Sequence, residues 1–320
     1  MRLRLLAAVS AISASALLLA GCAGGSGDSA DPTSSPSAGG CVLDTKSGAA
    51  SDAVKVTGDG ADAKVEIPAG TEMSNLERTV LEKGKGKDIG QNDLVSVQYQ
   101  IVDATNNTVL DSSARGEGGT LPVLLDQQSS LFVAALECQP LGSRIVMTVP
   151  SSMTSNGGNS FVVYAQATEL LPTKATGTSV AADKSMPAVD LDKDGAPNIT
   201  IPQGATAPTE TKVAVLKQGD GPTVGAGDLV AVQYRGVKWS DGSEFDSSWK
   251  RGAPAQFVTS QVVAGFRTAL EGQKVGSQVE VVIPPKDGYG EKSDSNTAQL
   301  AGETLVFVVD ILATTPSAQK

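Results

Sequence analysis

The stretch from Asp228 to Gly290 decides the fold of this chain: DLVAVQYRGVKWSDGSEFDSSWKRGAPAQFVTSQVVAGFRTALEGQKVGSQVEVVIPPKDGYG. It holds most of the aromatic residues of the chain, set among glycines and prolines. Near its start, Val230, Val232 and Tyr234 alternate with other residues, which is the period of a half-buried strand. The stretch therefore begins with a predicted strand of a sheet.

Two later segments, Val279–Ile283 and Leu305–Ile311, show the same alternation and predict two more strands. Between them and the first strand, Ala264–Leu270 has apolar residues at helical spacing and predicts a short helix. A sheet with one short helix against one face leaves a pocket between the two. The aromatic candidates to line that pocket are Tyr234, Phe245, Phe257, Phe266, Tyr289 and Phe307.

Several motifs in this region occur together and in a fixed order. They are VQYRG, DGSEFDSS with Arg251 following, VVAGF, IPP, GYG and LVFVVDIL. With these motifs the sequence resembles the FKBP-type peptidyl-prolyl cis-trans isomerases. The resemblance covers about Thr211 to Thr314. It implies an α+β fold in which an antiparallel sheet wraps against one short helix.

The resemblance also assigns roles to residues of this chain. Phe266 takes the place of the aromatic floor under a proline ring, and Asp246 that of a carboxylate that contacts Tyr234 and the ligand. Tyr289 corresponds to a loop tyrosine whose hydroxyl bonds a substrate carbonyl. The predicted catalytic residues are Tyr234, Asp246, Phe266 and Tyr289. The predicted substrate-binding residues are Phe245, Arg251, Phe257, Val262, Val263 and Phe307.

Each of these residues also has a plainer interpretation. Phe257 and Phe307, taken one at a time, are explained as ordinary core residues. Asp246, followed by two serines, is explained as a turn or a helix cap. It is the combination of the residues in order that favours a binding site.

The first 21 residues have the features of a secretory signal. Arg2 and Arg4 precede a short apolar run, which ends in the sequence LAGC at Cys22. This ending resembles a bacterial lipobox, so we expect Cys22 to carry a lipid that anchors the chain to the outer face of the bacterial cell membrane. The alternative is an ordinary signal peptide with a chance cysteine. The lipid anchor is the only membrane attachment that we expect, because no other run is long and apolar enough to cross.

Composition excludes several classes of function. The net charge is −10, and loss of Arg2 and Arg4 with the leader lowers it to −12, which argues against nucleic-acid binding. The chain has no histidine, so a Ser-His or Cys-His nucleophile and a histidine-bearing metal site are excluded. We expect no metal and no cofactor.

Three cysteines are present, and Cys22 is assigned to the lipid. Because the cell exterior is oxidising, a disulfide between Cys41 and Cys138 is the default for the other two. Two buried free thiols are the alternative.

A repeat with a period near 135 residues runs through the chain. DLVSVQY at Asp93–Tyr99 matches DLVAVQY at Asp228–Tyr234, and DSS occurs in both copies. The repeat predicts two tandem FKBP-like domains. The expected segments are a signal peptide 1–21, a flexible tether 22–43, a degenerate domain 44–172, a linker 173–180, an isomerase domain 181–314 with its family core at 211–314, and a tail 315–320.

The first copy keeps Tyr99, Asp111 and Phe132 but loses pocket aromatics. Leu110 replaces Phe245, Leu131 replaces Gly265 and Val163 replaces Phe307, and the loop 151–160 has no tyrosine. Because apolar residues replace apolar ones, the fold can survive these changes. We therefore expect the first domain to be inactive and to act as a spacer or a binding module.

The predicted function of the second domain is prolyl isomerisation in exported proteins. Rotation about an X-Pro bond has a barrier of about 18–20 kcal/mol, yet it needs no proton transfer and no new covalent bond. An aromatic pocket that binds the twisted amide better than the planar one suits this reaction. The expected partners are unfolded or folding exported proteins, and the resemblance implies macrolides as candidate ligands. The alternative function is a non-catalytic module at the cell surface that binds proline-containing peptides or acts as a chaperone.

Overall fold

The computed structural model describes residues 45–154 and 157–317 of the chain, without the side chain of Glu117. The predicted signal peptide 1–21, most of the tether 22–43, and the residues Cys22 and Cys41 lie outside these described residues. The disulfide between Cys41 and Cys138 therefore stays a prediction. Within the described ranges, no helix is both long and apolar enough to span a membrane.

The first half of the described chain builds one antiparallel sheet with two short helices. In chain order its elements are α1 (Ala49–Ala53), β1 (Lys55–Thr57), β2 (Lys64–Glu66), β3 (Glu77–Glu82), β4 (Leu94–Asp103), β5 (Val109–Ser112), β6 (Leu121–Leu124), α2 (Ser130–Leu136), β7 (Arg144–Val149) and β8 (Phe161–Leu170). The strand order is β3-β7-β8-β4-β5, and β6 also pairs with β4. β1 and β2 form a separate hairpin.

The second half builds a sheet of the same kind. Its elements are β9 (Thr178–Ser179), β10 (Ala188–Leu191), β11 (Pro197–Thr200), β12 (Lys212–Gln218), β13 (Leu229–Lys238), β14 (Glu244–Ser247), α3 (Ser248–Arg251), β15 (Ala255–Val258), α4 (Ala264–Leu270), β16 (Gln278–Ile283) and β17 (Leu305–Thr315). The order is β14-β13-β17-β16-β12-β9, β15 pairs with β13, and β10 and β11 form a hairpin.

The two sheets share their strand order and their register. In the first, Ile101 of β4 pairs with Asp111 of β5. In the second, Gly236 of β13 pairs with Asp246 of β14. Each sheet carries a short helix, α2 or α4, against one face. The predicted α+β fold with two tandem sheets is confirmed.

Helix α4 lies over the core of the second sheet, as its spacing predicts. Phe266, Ala269 and Leu270 are buried between the helix and β16 and β17. The helix approaches β16 closely at Gly265, where a methyl group would lie 2.4 Å from Cγ2 of Ile283. A side chain at this position would push the helix away from the strand, so Gly265 determines how deeply α4 sits.

The hairpin of β10 and β11 covers the opposite face of the second sheet. Met186 and Ile199 pack there against Val282 and Val306. Arg235 of β13 donates a hydrogen bond of 2.8 Å to the carbonyl of Pro197. These contacts make the segment upstream of the family core a part of the second domain.

The segment expected as a linker, 173–180, contributes to the second sheet. Thr178 and Ser179 pair with the end of β12, and the backbone N–H of Ala175 donates to Asp310 at 2.8 Å. At the other end, β17 continues to Thr315, beyond the predicted end of its strand. Edge pairing and a buried carboxylate hold these residues, and both partners are distant in sequence.

A carboxyl group without a hydrogen-bond partner lies under this hairpin. Glu280 of β16 is fully buried, and both of its oxygens lack a partner among the described residues. Burial, with the negative charge of Asp183 nearby, raises the pKa of Glu280 to about 8. The first domain has Val146 at the matching position of β7.

We predict that Glu280 makes the stability of the protein fall as pH rises. Its pKa is about 8 in the folded state and near 4.5 when unfolded, so the folded state holds the proton more tightly. The free energy of unfolding should decrease from pH 4.5 to about 8, by at most about 1.4 kcal/mol per pH unit. Glu280→Val, which introduces the residue of the first domain, should remove most of this slope. Urea unfolding of both proteins at pH 5, 6, 7 and 8 measures it, and parallel slopes would contradict the prediction.

Candidate functional site

A hydrogen-bonded network of three side chains lies at one side of the cavity between α4 and the second sheet. The hydroxyl of Tyr234, which is 4% exposed, donates to the carboxylate of Asp246. Arg251 forms an ion pair with Asp246 and donates to the Tyr234 hydroxyl at 2.8 Å. Its guanidinium carbon also lies 5.4 Å from the centre of the Tyr234 ring. The three side chains therefore hold each other in one arrangement.

Short local structures deliver these side chains to one place. β13 carries Tyr234 and β14 carries Asp246, on neighbouring strands. The chain then turns into α3, where the Ser247 side chain accepts from the N–H of Lys250 as a cap. The turn ends at Gly252 with φ of 76°, a left-handed conformation that favours glycine. Arg251 is thereby directed back to Asp246.

The phenol of Tyr234 stays protonated over the physiological pH range. Burial, together with the hydrogen bond to Asp246, raises the pKa of Tyr234 to about 12. Its proton is used in the bond to the carboxylate. The network therefore positions groups and does not supply a general base near neutral pH.

Aromatic rings form the rest of the cavity, which has a volume of about 320 Å³. Phe266 is the central ring, since its centre lies 5.0 Å from that of Phe307, 5.7 Å from that of Phe257 and 6.1 Å from that of Tyr234. The rings meet edge to face, a favourable geometry for aromatic pairs. The cavity is lined by Tyr234, Phe245, Asp246, Phe257, Gln261, Val262, Val263, Phe266, Tyr289 and Phe307.

A glycine makes room for two of these rings. The centres of Phe245 and Phe307 lie 5.3 Å apart. A methyl group on Gly236 would lie 2.7 Å from Cζ of Phe245 and 2.8 Å from Cε1 of Phe307, closer than carbon atoms can pack. In the first domain the matching position holds Ile101. The absence of a side chain at Gly236 is therefore a condition for this wall of the cavity.

Tyr289 reaches the cavity from a loop and is 45% exposed. The side-chain amide of Asn296 holds this loop, because it donates to the carbonyls of Tyr289 at 2.9 Å and of Glu291 at 3.0 Å. The tyrosine is thus presented at the rim with its side chain accessible to a ligand.

The structure brings the predicted site residues together. Nine of them line one cavity, and Arg251 contacts two of those nine. Their catalytic and binding roles stay predictions. Gln261, just before the helix, also lines the cavity and was not predicted. Its exposed polar side chain has no sequence signal, since only the turn of residues 259–261 directs it there.

The first domain keeps the polar network without the aromatic walls. The Tyr99 hydroxyl donates to Asp111 at 2.8 Å, and Arg115 donates to that hydroxyl at 3.2 Å. Arg115 was not predicted, because it follows Asp111 by four residues whereas Arg251 follows Asp246 by five. Burial and the bond to Asp111 again raise the pKa of the tyrosine, Tyr99, to about 12.

Comparison with known proteins matches the second domain. The pattern of the FKBP-type peptidyl-prolyl cis-trans isomerase family covers residues 221–312. An FK506-binding protein of Streptomyces anulatus is 40% identical over 119 residues, which are 37% of this chain and 95% of that protein. A probable FK506-binding protein of Corynebacterium glutamicum is 37% identical over 117 residues, 37% of this chain and 97% of that protein. An FKBP-type 22 kDa peptidyl-prolyl cis-trans isomerase of Escherichia coli is 41% identical over 98 residues, 31% of this chain and 47% of that protein.

We predict that Gly236→Ala disturbs the cavity. The added methyl group must displace Phe245 and Phe307, so the free energy of unfolding should fall by about 1–3 kcal/mol. The ring resonances of both phenylalanines should shift in NMR spectra of protein labelled at phenylalanine. Gly90→Ala is the control, because its methyl group would meet only Asp93 Oδ2 at 3.6 Å. Equal effects of the two changes would show that Gly236 does not control the wall.

Proposed function

This chain belongs to the FKBP-type peptidyl-prolyl cis-trans isomerase family, and we propose that its second domain accelerates X-Pro rotation in exported proteins. The family and the enzyme class predicted from the motifs are confirmed by relatives that align over almost their whole length. The observation that carries the proposal for this domain is the cavity of about 320 Å³ that joins four phenylalanines to the network of Tyr234 and Asp246.

The chemistry of the barrier explains why such a cavity suffices. An X-Pro amide resists rotation because resonance gives its C–N bond partial double-bond character. In the twisted amide this resonance is lost, and its carbonyl is less polar than in the planar form. A site that removes the amide from water and holds the ring therefore favours the twisted state over both planar states. A 1000-fold acceleration requires about 4 kcal/mol of such differential binding.

Each side chain of the cavity has a place in this scheme. The ring of Phe266 forms the floor for the proline ring, and Phe245 and Phe307 are the wall beside it. The exposed hydroxyl of Tyr289 donates to a carbonyl of the substrate. Asp246 orients the Tyr234 ring and presents a partly exposed carboxylate to the substrate backbone. No step needs a proton acceptor, in keeping with a neutral phenol at Tyr234.

Two of the relatives are named for binding FK506. We extend this to the chain as a proposal: a macrolide of this class occupies the same cavity. It should therefore inhibit isomerisation in competition with a prolyl peptide.

The test is the isomerisation rate of an Ala-Leu-Pro-Phe peptide, followed by exchange NMR or by protease-coupled absorbance, with the full chain. Asp246→Ala should lower kcat/KM by about tenfold or more, because Tyr234 and Arg251 lose their shared partner. Tyr289→Phe should lower it by roughly three- to tenfold, the value of one hydrogen bond. FK506 should inhibit the wild-type protein.

The control is Asp220→Ala, which removes an exposed carboxylate just after β12. Its kcat/KM should equal that of the wild type. A folded wild-type protein that gives no acceleration would refute catalysis and leave the alternative, a module that only binds proline-containing chains. Acceleration that is unaffected by Asp246→Ala would place the reaction elsewhere.

We further propose that a lipid on Cys22 anchors the protein at the outer face of a bacterial cell membrane. The support is the basic, apolar and LAGC pattern of the first 22 residues. In a bacterium that expresses the full chain, the protein should sediment with membranes and be released by detergent. Cys22→Ser should move it to the soluble fraction outside the cytoplasm, and identical fractionation of both proteins would refute the lipid anchor.

A further inference from the structure

A second cavity, of about 390 Å³, lies where the two domains meet. Side chains of both domains line it. Tyr99, Leu131 and Phe132 belong to the first domain, and Leu229, Gln256 and Thr315 belong to the second. The cavity is thus the counterpart of the aromatic site, with one side now built by the other domain.

Contacts between the domains make this shared wall a fixed part of the structure. Leu94 and Leu124 of the first domain form a buried cluster with Ala231, Leu312 and Ala313 of the second. These residues lie on β4, β6, β13 and β17, the strands that also border the cavity. A further apolar cavity of about 370 Å³ continues along the junction. The two cavities share Leu121 and Pro122, so they form one extended groove.

The floor of the groove contains polar groups for which a spacer has no use. Tyr99 is 4% exposed and its hydroxyl bonds Asp111. Burying such a network gives little net stability, and apolar residues of similar size would pack there at least as well. Asp111 and Arg115 are nevertheless 42% and 36% exposed. A carboxylate and a guanidinium at the rim can accept an N–H and donate to a C=O of a bound peptide.

The apolar part of the groove differs from the aromatic site in shape. Val123 stands where β15 has Phe257, and Ile101 stands where β13 has Gly236. The tight ring-shaped wall is absent, and the cavity at the junction is larger than the aromatic one. Phe132 and Tyr99 still meet edge to face at 4.9 Å. Such a space suits a leucine or phenylalanine side chain better than a proline ring.

We propose that this interdomain groove is a second polypeptide-binding site, which takes extended segments with a large apolar side chain and does not require proline. Its occupant is an unfolded polypeptide. The apolar side chain enters between Leu131, Phe132 and Leu229, and the peptide backbone bonds to Asp111 and Arg115. The protein would then hold an unfolded chain at one site independently of the chemistry at the other.

The experiment measures binding of a fluorescein-labelled, proline-free peptide, Ala-Ala-Leu-Phe-Ala-Ala, to the full chain by anisotropy. Leu131→Asp and Leu229→Asp place a charge on the first-domain and the second-domain wall, and each should raise Kd at least tenfold. Leu191→Asp is the matched control, since Leu191 is 40% exposed on the β10 hairpin, and its Kd should equal that of the wild type. A saturating Ala-Leu-Pro-Phe peptide should leave the binding intact.

Binding is also located in the unaltered protein, in case a variant fails to fold. Leucine methyl resonances of Leu131 and Leu229 should shift on addition of the proline-free peptide. The proposal is overturned if both aspartate variants bind like Leu191→Asp, if the prolyl peptide displaces the probe, or if the shifts are confined to the aromatic cavity. Because the groove is separate from that cavity, a failure of prolyl isomerisation would not affect these results.

Discussion

A buried phenol must keep a hydrogen-bond partner, and the second domain meets this requirement for Tyr234 with Asp246. The carboxylate is in turn held by Arg251, which the short helix α3 returns to the sheet. This chain of contacts ties β13, β14 and α3 together on one side of the cavity. The ring of Tyr234 cannot rotate away without leaving a buried hydroxyl unsatisfied, so the rings that pack on it also have defined positions. Pre-organisation of the cavity follows from this one polar requirement.

The comparison of the two domains separates the demands of the fold from the demands of the site. Both domains have the same strand order, the same register and the same Tyr–Asp–Arg network. They differ at single positions such as Gly236 and Ile101, where the presence of a side chain decides whether two phenylalanines can meet. Apolar residues replace one another in the core with little effect on the fold, because burial of apolar area is not directional. A cavity of a particular shape is directional, and one residue can remove it.

Much of the fold could be predicted from local patterns. The alternation along β13 and β16 and the helical spacing in α4 each report burial on one face, so periodicity alone located them. The aromatic residues could be assigned to one pocket because the motifs occur in the order of a known family. Gln261 and Arg115 could not be found in this way. One is an exposed polar residue with no periodicity, and the other follows its aspartate at a different spacing. The residues 173–180 were expected to link the domains, and their pairing with β12 depends on an edge strand that sequence does not place.

By itself, the sequence determined the class of fold, the duplication and the family, because these depend on short-range periodicity and on motifs in order. It also determined that no histidine takes part in the chemistry, since the chain contains none. Only the tertiary structure decided which side chains share a cavity, that Glu280 is buried without a partner, and that the second domain closes one side of the first-domain groove. Those properties arise from contacts between residues far apart in the chain, whose distances and burial follow from packing and register and not from local pattern.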